Sequence, residues 1–405
     1  MTTVLERDPG TRAKRGRTRR ARRRTLIVLL LLAVGATAGL GAQRLISSGD
    51  EETSDAIGTP IDGRQVTTLL VTTLADDASQ QADGLTLFGI DPDGTEPVIM
   101  FIPVDTLAEV PGGGSMEIGK AMTFGRLSLV ELAVENLLGL QIDRTLGIDD
   151  LSIATMINDL GGIQVDVREE LYEPDDQGRL QLVFPQGPQE MDGVAAVTYL
   201  TYRGVGSTDL ERFPRAQKIW QGVFAHGAGA MGTAVTGLGD AVAGLDGAAG
   251  LAEILEAFAR AEDRTFEVMP PEPVGSGGDE EVYQVDVDAL AAVIDRAFAG
   301  SRPPAGPGRG ARVELRNGNG VPEVGERVAA LLIPDGMRIV LSGNARSFDF
   351  PTTRVVVYGD DDQAIALGRR IVELLGVGEV EIGTRGQTVA DVTVVVGRDF
   401  IERQE

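Results

Sequence analysis

Hydrophobic positions along this 405-residue chain fall into three regimes. The first is one run, Thr25 to Ala42, 18 residues without a charge and led by Leu26, Ile27, Val28 and Leu29 to Leu32. As a helix it spans about 27 Å, close to the roughly 30 Å hydrocarbon core of a bilayer. The second regime alternates short β-branched runs with segments of helical spacing. Val66–Thr73, Leu85–Asp91, Val98–Ile102 and Ile163–Val167 predict strands, with Pro92-Asp93-Gly94 and Pro103 as stops. Leu127–Leu138, Asp149–Leu160, Arg215–Phe224, Leu251–Ala261 and Val287–Phe298 predict helices. The first stops at Gly139, and the second is capped by Asp149 or Asp150 and ended by Gly161-Gly162. The Gly/Ala-rich stretch 225–250 predicts an irregular helical region. After a Pro/Gly run, the third regime predicts strands at Val313–Leu315, Arg338–Leu341, Arg354–Tyr358 and Val392–Val396. Helices are predicted at Val324–Leu332 and Gln363–Leu375. Strands interleaved with helices place both later regimes in the α/β class.

Charge assigns a side to the first run. Residues 1–24 carry ten Lys/Arg against Glu6 and Asp8, whereas the whole chain carries −24. By the positive-inside rule, 1–24 is a basic cytoplasmic tail and 25–42 a transmembrane helix. The rest is then external, in a single-pass cell-membrane protein. A cleaved signal peptide is the competing reading, with Ala36-Thr37-Ala38 as small residues near a cleavage point. Either reading puts the bulk of the chain outside. The expected order continues with a linker at 43–64, a main domain at 65–300, a Pro/Gly linker at 301–311 and a small domain at 312–402.

Composition then removes chemistries. There is no cysteine, hence no disulfide, thiolate nucleophile or cysteine-bound zinc, and His226 is the single histidine. An acidic, aromatic-poor chain argues against nucleic acid as a partner. Gly318 and Gly320 lack the third glycine and the later acid of a dinucleotide loop, and suit a tight turn better. Asp360-Asp361-Asp362 suits a helix N-terminus.

Several stretches resemble the LytR-CpsA-Psr family. They are Asp83-Gly84-Leu85-Thr86-Leu87, Ile102-Pro103-Val104-Asp105-Thr106, Val134 to Gly139 with Ile142-Asp143, Leu160 to Val167, and Met191-Asp192-Gly193 with Ala196, Tyr199 and Arg203. Asp209, Arg212, Arg215 and Gln217 continue the pattern. Leu315-Arg316-Asn317-Gly318-Asn319-Gly320, Gly343-Asn344-Ala345, Phe348 to Thr353 and Asp391 to Phe400 are similar to the LytR C-terminal domain. The resemblance implies a three-layer arrangement of sheet and helices followed by a small α/β domain. It also implies a membrane-anchored role in attaching glycopolymers from polyprenyl-pyrophosphate carriers to peptidoglycan. Its partners would be the cell membrane and a polyprenyl-phosphate lipid or wall polymer.

Within that resemblance Asp83 and Asp105 are the candidate catalytic or Mg²⁺-binding carboxylates. Arg203, Arg212, Arg215, Asp209 and Gln217 form the candidate phosphate or headgroup site. Such a site needs bidentate arginines, a metal for the developing charge, and a carboxylate base. Asp83 and Asp105 equally suit turn caps, and the arginines equally suit local pairs with Asp209 and Glu211. The family's pattern is also broken. Gln81, Val104 and Thr201 stand where arginines are usual, Leu74 where an Asp is usual, and Glu117 where a Lys is usual. Each charge-assisted hydrogen bond so lost removes about 1.5–3 kcal/mol. Residues 25–310 hold 16 Lys/Arg against 44 acids, so the main domain also repels an anionic lipid. The expectation is a degenerate, non-catalytic, lipid- or wall-binding regulatory member. The alternative is an active phosphotransferase using Mg²⁺.

Overall fold

The computed structural model describes residues 64–403, apart from 92–93, 95–96, 125–126, 176, 205–207, 275–281, 304 and 384–388. The expected tail, the apolar run 25–42 and nearly all of the first linker lie outside the described residues. Among the described residues no helix is long and apolar enough to cross a membrane.

The first unit is built on strands β1 (Val66–Thr73), β2 (Ala82–Ile90), β3 (Val98–Ile102), β4 (Leu107–Val110), β5 (Gly114–Glu117), β6 (Arg144–Asp149), β7 (Ile163–Val167), β8 (Leu171–Pro174), β9 (Leu180–Phe184), β10 (Gly187–Met191), β11 (Ala243–Gly244), β12 (Thr265–Val268), β13 (Pro271–Pro273) and β14 (Tyr283–Val285). Its helices are α1 (Leu127–Leu138), α2 (Asp150–Asp159), α3 (Gly193–Thr201), α4 (Arg212–Phe224), α5 (Ala228–Thr236), α6 (Gly247–Arg260) and α7 (Val287–Ala297). A mixed six-stranded sheet runs β11-β6-β1-β2-β3-β12, and the β4–β5, β7–β10, β8–β9 and β13–β14 pairs lie outside it.

The central strands are apolar on both faces because both faces are covered, the reading expected of a doubly buried sheet. Alternation then sends neighbouring residues to opposite layers. Leu70, Phe88, Ile99 and Phe101 pack with α2, α4 and α6 in one core. Leu69, Val71, Leu87, Met100 and Ile102 pack with α1 and α7 in the other. Local signals set the helix starts: Asp149 accepts the Ser152 N–H at 2.7 Å and Asp192 the Ala195 N–H at 2.8 Å.

The second unit comprises β15 (Arg312–Asn317), β16 (Arg338–Asn344), β17 (Arg354–Val357), β18 (Glu379–Ile382) and β19 (Val392–Val396), with α8 (Val324–Leu332), α9 (Asp362–Leu375) and α10 (Asp399–Glu402). Its sheet order is β16-β15-β19-β17-β18. Val313, Leu315, Val355, Val357, Val392 and Val394 join Val328, Leu332, Leu367 and Ile371 in a separate core.

One segment follows the sequence expectation of irregular helix, and one element starts earlier than expected. Residues 225–250 resolve into α5, a 3-10 turn at Gly239–Ala241, the short β11 and the start of α6. α4 begins at Arg212, three residues earlier than its spacing predicts.

Candidate functional site

A narrow hollow with about 60 Å³ of free volume lies between the sheet and helices α2 and α4. Its walls are almost wholly apolar: Leu85, Phe101, Ile102 and Val104 from the sheet side, Ile153, Met156 and Ile157 from α2, and Phe213, Ala216, Ile219, Trp220 and Val223 from α4. Trp220 meets Phe88 edge-on at 5.3 Å and stacks on Phe224 at 5.6 Å, so one indole both fills the core and lines the hollow. The polar lining is confined to Thr72, Thr86, Asp83 and Arg212.

Asp83 stands at the second position of β2, and Arg212 opens α4. Arg212 donates through Nη1 to the Asp83 carboxylate at 3.2 Å and to its carbonyl at 3.1 Å, through Nη2 to the other carboxylate oxygen, and through Nε to the Leu200 carbonyl at 3.3 Å. Its residue is 7% exposed, so this guanidinium spends its donors inside the protein. Arg203 is the outer cation: its side chain is 54% exposed and its Nη2 is 3.8 Å from Asp83 Oδ1.

The other candidates do not converge here. Arg215 is buried, donates from Nη2 to the Tyr202 carbonyl at 2.5 Å, and lies 5.5 Å from the centre of the Tyr202 ring. Burial pushes the Arg215 guanidinium below its ordinary value. Gln217 lines a second hollow with Phe101, Leu210, Phe213, Phe266 and Glu267. The expected set of Arg203, Arg212, Arg215 and Gln217 is therefore divided. The reason is helical: at 100° per residue, Gln217 stands about 140° around α4 from Arg212. Asp209 lies in the 3-10 turn that leads into α4, and its side chain is outside the described residues. Asp105 is half-buried in the turn after β3. It does not line the hollow, though the neighbouring Val104 does, and its carbonyl accepts the Tyr283 N–H at 3.1 Å.

The positions that depart from the resemblance are structurally accommodated. Val104 is 6% exposed and takes the Gly119 N–H on its carbonyl at 2.9 Å. A Cβ on Gly119 would stand 3.0 Å from Val104 Cβ, so a larger residue would press on this turn at the pocket wall. Thr201 ends α3 and donates to the Val197 carbonyl at 2.9 Å. Leu74, just beyond β1, accepts the Asp77 N–H at 3.1 Å, and Glu117 pairs with Lys120 at 2.5 Å. Gln81 is half-buried beside the strained Gln80, whose φ is 53°.

Both carboxylate oxygens of Asp83 face Arg212, so a Mg²⁺ ion there would compete with the guanidinium for them. Thr72 and Thr86 were missed in the sequence. They are the two hydroxyls in an apolar lining, and only the strand register, with Thr72 opposite Gly84, brings Thr72 beside Asp83.

Comparison with known proteins agrees with the fold. The LytR_cpsA_psr family model matches residues 54–242, and the model described as LytR cell envelope-related transcriptional attenuator matches 310–400, together more than half of the chain. A Corynebacterium glutamicum protein named as the probable cell wall biosynthesis protein LcpB is 33% identical over 125 residues, 31% of this chain and 29% of that protein. The Bacillus subtilis polyisoprenyl-teichoic acid–peptidoglycan teichoic acid transferase TagV is 28% identical over 127 residues, 30% of this chain and 32% of that one. The matched region thus spans under a third of either relative. The crystal structure of TagV superposes with a TM-score of 0.51 at 18% identity, covering 60% of this chain and all of that one. The Streptococcus agalactiae protein gbs0355 superposes at 0.50 and 14% identity, over 60% of this chain and 90% of that one. These structural likenesses concern the fold. The chain belongs to the LytR-CpsA-Psr family and ends in a LytR C-terminal domain.

Proposed function

We propose that this protein is a membrane-anchored member of its family that binds the prenyl chain of a polyprenyl-phosphate carrier outside the cell and does not itself transfer the glycopolymer. The anchor is the run 25–42, with the basic tail inside. One observation carries the reading: an apolar hollow ends in an arginine–aspartate pair that is closed on itself. Apolar walls favour a hydrocarbon tail at about 25 cal/mol per Å² removed from water. At the polar end, the exposed Arg203 offers the phosphate a cation. Transfer asks for more. With Arg212 committed to Asp83, Arg215 turned to Tyr202 and Val104 on the pocket wall, the developing charge of a transferring phosphate meets few free donors. The relatives support the cell-wall setting: LcpB is named for cell wall biosynthesis and TagV for teichoic acid transfer to peptidoglycan.

Filling the hollow tests the binding half. Ala216→Trp places a ring where the tail would lie and is expected to lower affinity for geranylgeranyl phosphate at least tenfold, read by Trp220 fluorescence or calorimetry. Undiminished binding in that variant would place the lipid elsewhere. Transfer of a polyprenyl-pyrophosphate-linked polymer is the other outcome, and turnover on a prenyl diphosphate decides it.

A further inference from the structure

The C-terminal sheet ends in an edge strand, β16, and the first unit meets that edge with side chains. Asn136 of α1 donates from Nδ2 to the Ile339 carbonyl at 2.8 Å and accepts the Ile339 N–H at 2.7 Å. One amide thus does what a neighbouring strand would do for the open edge. The same Nδ2 lies 3.1 Å from the Glu109 carbonyl of β4. Farther along β16, the Ser342 N–H and hydroxyl both donate to Glu109 Oε1, at 2.6 and 2.7 Å. At the hairpin tip, a Cβ on Gly325 in the first turn of α8 would stand 3.0 Å from Gly112 Cα, so backbone rests on backbone.

The root of this β4–β5 hairpin is tied to the pocket. Thr106 donates to the Pro103 carbonyl at 3.2 Å, Ile118 to the Thr106 carbonyl at 2.8 Å and Gly119 to the Val104 carbonyl at 2.9 Å. Gly119 is also wedged against the Ala82 carbonyl, where a Cβ would stand at 3.0 Å, one residue before Asp83. The hairpin therefore touches the C-terminal unit at its tip and sides, and both candidate carboxylate segments at its root.

We infer that the C-terminal unit is a clamp on the β4–β5 hairpin. Asn136, Glu109 and Ser342 are positioning residues that hold the Val104–Thr106 turn against the start of β2. Only the consequence for lipid binding rests on the proposed function. The clamp itself stands on the contacts above.

Amide hydrogen exchange on the whole chain tests it. Asn136→Leu and Glu109→Ala are expected to speed exchange at Thr106, Ile118 and Gly119 at least tenfold, with Val392–Val396 of β19 unchanged. Glu109→Gln keeps an acceptor at the same place and should preserve protection. If Asn136→Leu loosens β19 as well, Glu109→Ala and Ser342→Ala decide. Unchanged protection at the three amides in those variants would overturn the clamp. In parallel, Glu109→Ala should weaken geranylgeranyl phosphate binding about tenfold, and Glu109→Gln should not. Protection lost with affinity intact would overturn the link to the pocket. A parent chain that binds no prenyl phosphate would sink the proposed function, while the exchange result still decides the clamp.

Discussion

Two arginine–carboxylate pairs of the C-terminal unit and one beside the hollow of the first unit stand in opposite surroundings. In the C-terminal unit Arg312–Asp391 and Arg354–Glu381 lie on the surface, with side chains between 36% and 45% exposed. The hydrogen bonds from Arg354 hold the Glu381 carboxyl below its usual range, as Arg312 does for Asp391. In the first unit Arg212–Asp83 is 8% and 15% exposed and stands at the end of an apolar hollow. A surface pair contributes about 0–1 kcal/mol, whereas stripping one partner from a buried pair costs about 3–5 kcal/mol. The lesson concerns the site. Where water can solvate a cation, pairing is optional. Beside the hollow it is obligatory, and the arginine that the family resemblance assigns to phosphate is held by an aspartate.

The comparison can be broken most directly at its buried member. Asp83→Ala leaves the Arg212 guanidinium uncompensated, and a loss of about 3–5 kcal/mol in urea unfolding is expected. A loss under about 1 kcal/mol would mean that water already reaches the pair.

The next effect comes from carboxylates with too little counter-charge. Burial lifts Glu131 to about 7, and burial together with the Glu131 charge lifts Glu135 well above its usual range. Asp143 lies nearby, paired with Arg64. Both glutamates hold protons in the folded state that the unfolded chain has released. Stability is therefore complete below about pH 4.5, the unfolded value. It falls as pH rises to about 7 for Glu131, and continues to fall above that for Glu135, by up to about 1.4 kcal/mol per pH unit for each group. Glu131→Gln should flatten the lower part of that slope. An unchanged pH profile in that variant would show that Glu131 is not the titrating group.

The smallest effect belongs to the surface. Arg354→Ala should move unfolding by no more than about 1 kcal/mol, and less in high salt. A larger loss would show that the strand pair β17–β18 depends on this contact.

Much of the fold was legible because its signals are local. β1, β3, β7, α1, α8 and β19 begin and end where the hydrophobic pattern places them, and most stand beside a Gly, Pro or Asp stop. The β4–β5 hairpin was not read, although Pro111-Gly112-Gly113-Gly114 is a turn signal between two short alternating runs. At four residues a strand, the alternation was too brief to register. The candidate site was legible only in part. Asp83 and Arg212 are 129 positions apart, and no period connects them. Arg203, Arg212, Arg215 and Gln217 look like one cluster in sequence. The turn before α4 and its helical rotation distribute them over the Asp83 pair, the Tyr202 carbonyl and a second hollow. Likewise Asn136 reads as one more polar residue on α1 until the edge of β16 stands opposite it.

The direct measurement mixes the purified whole chain with geranylgeranyl diphosphate and Mg²⁺ and follows the phosphorus signals over time. Binding without transfer gives saturable binding, a diphosphate resonance shifted on the protein, and no phosphate or pyrophosphate released above the rate without protein. Metal-dependent release that disappears in Asp105→Ala would contradict it and make the chain an active transferase.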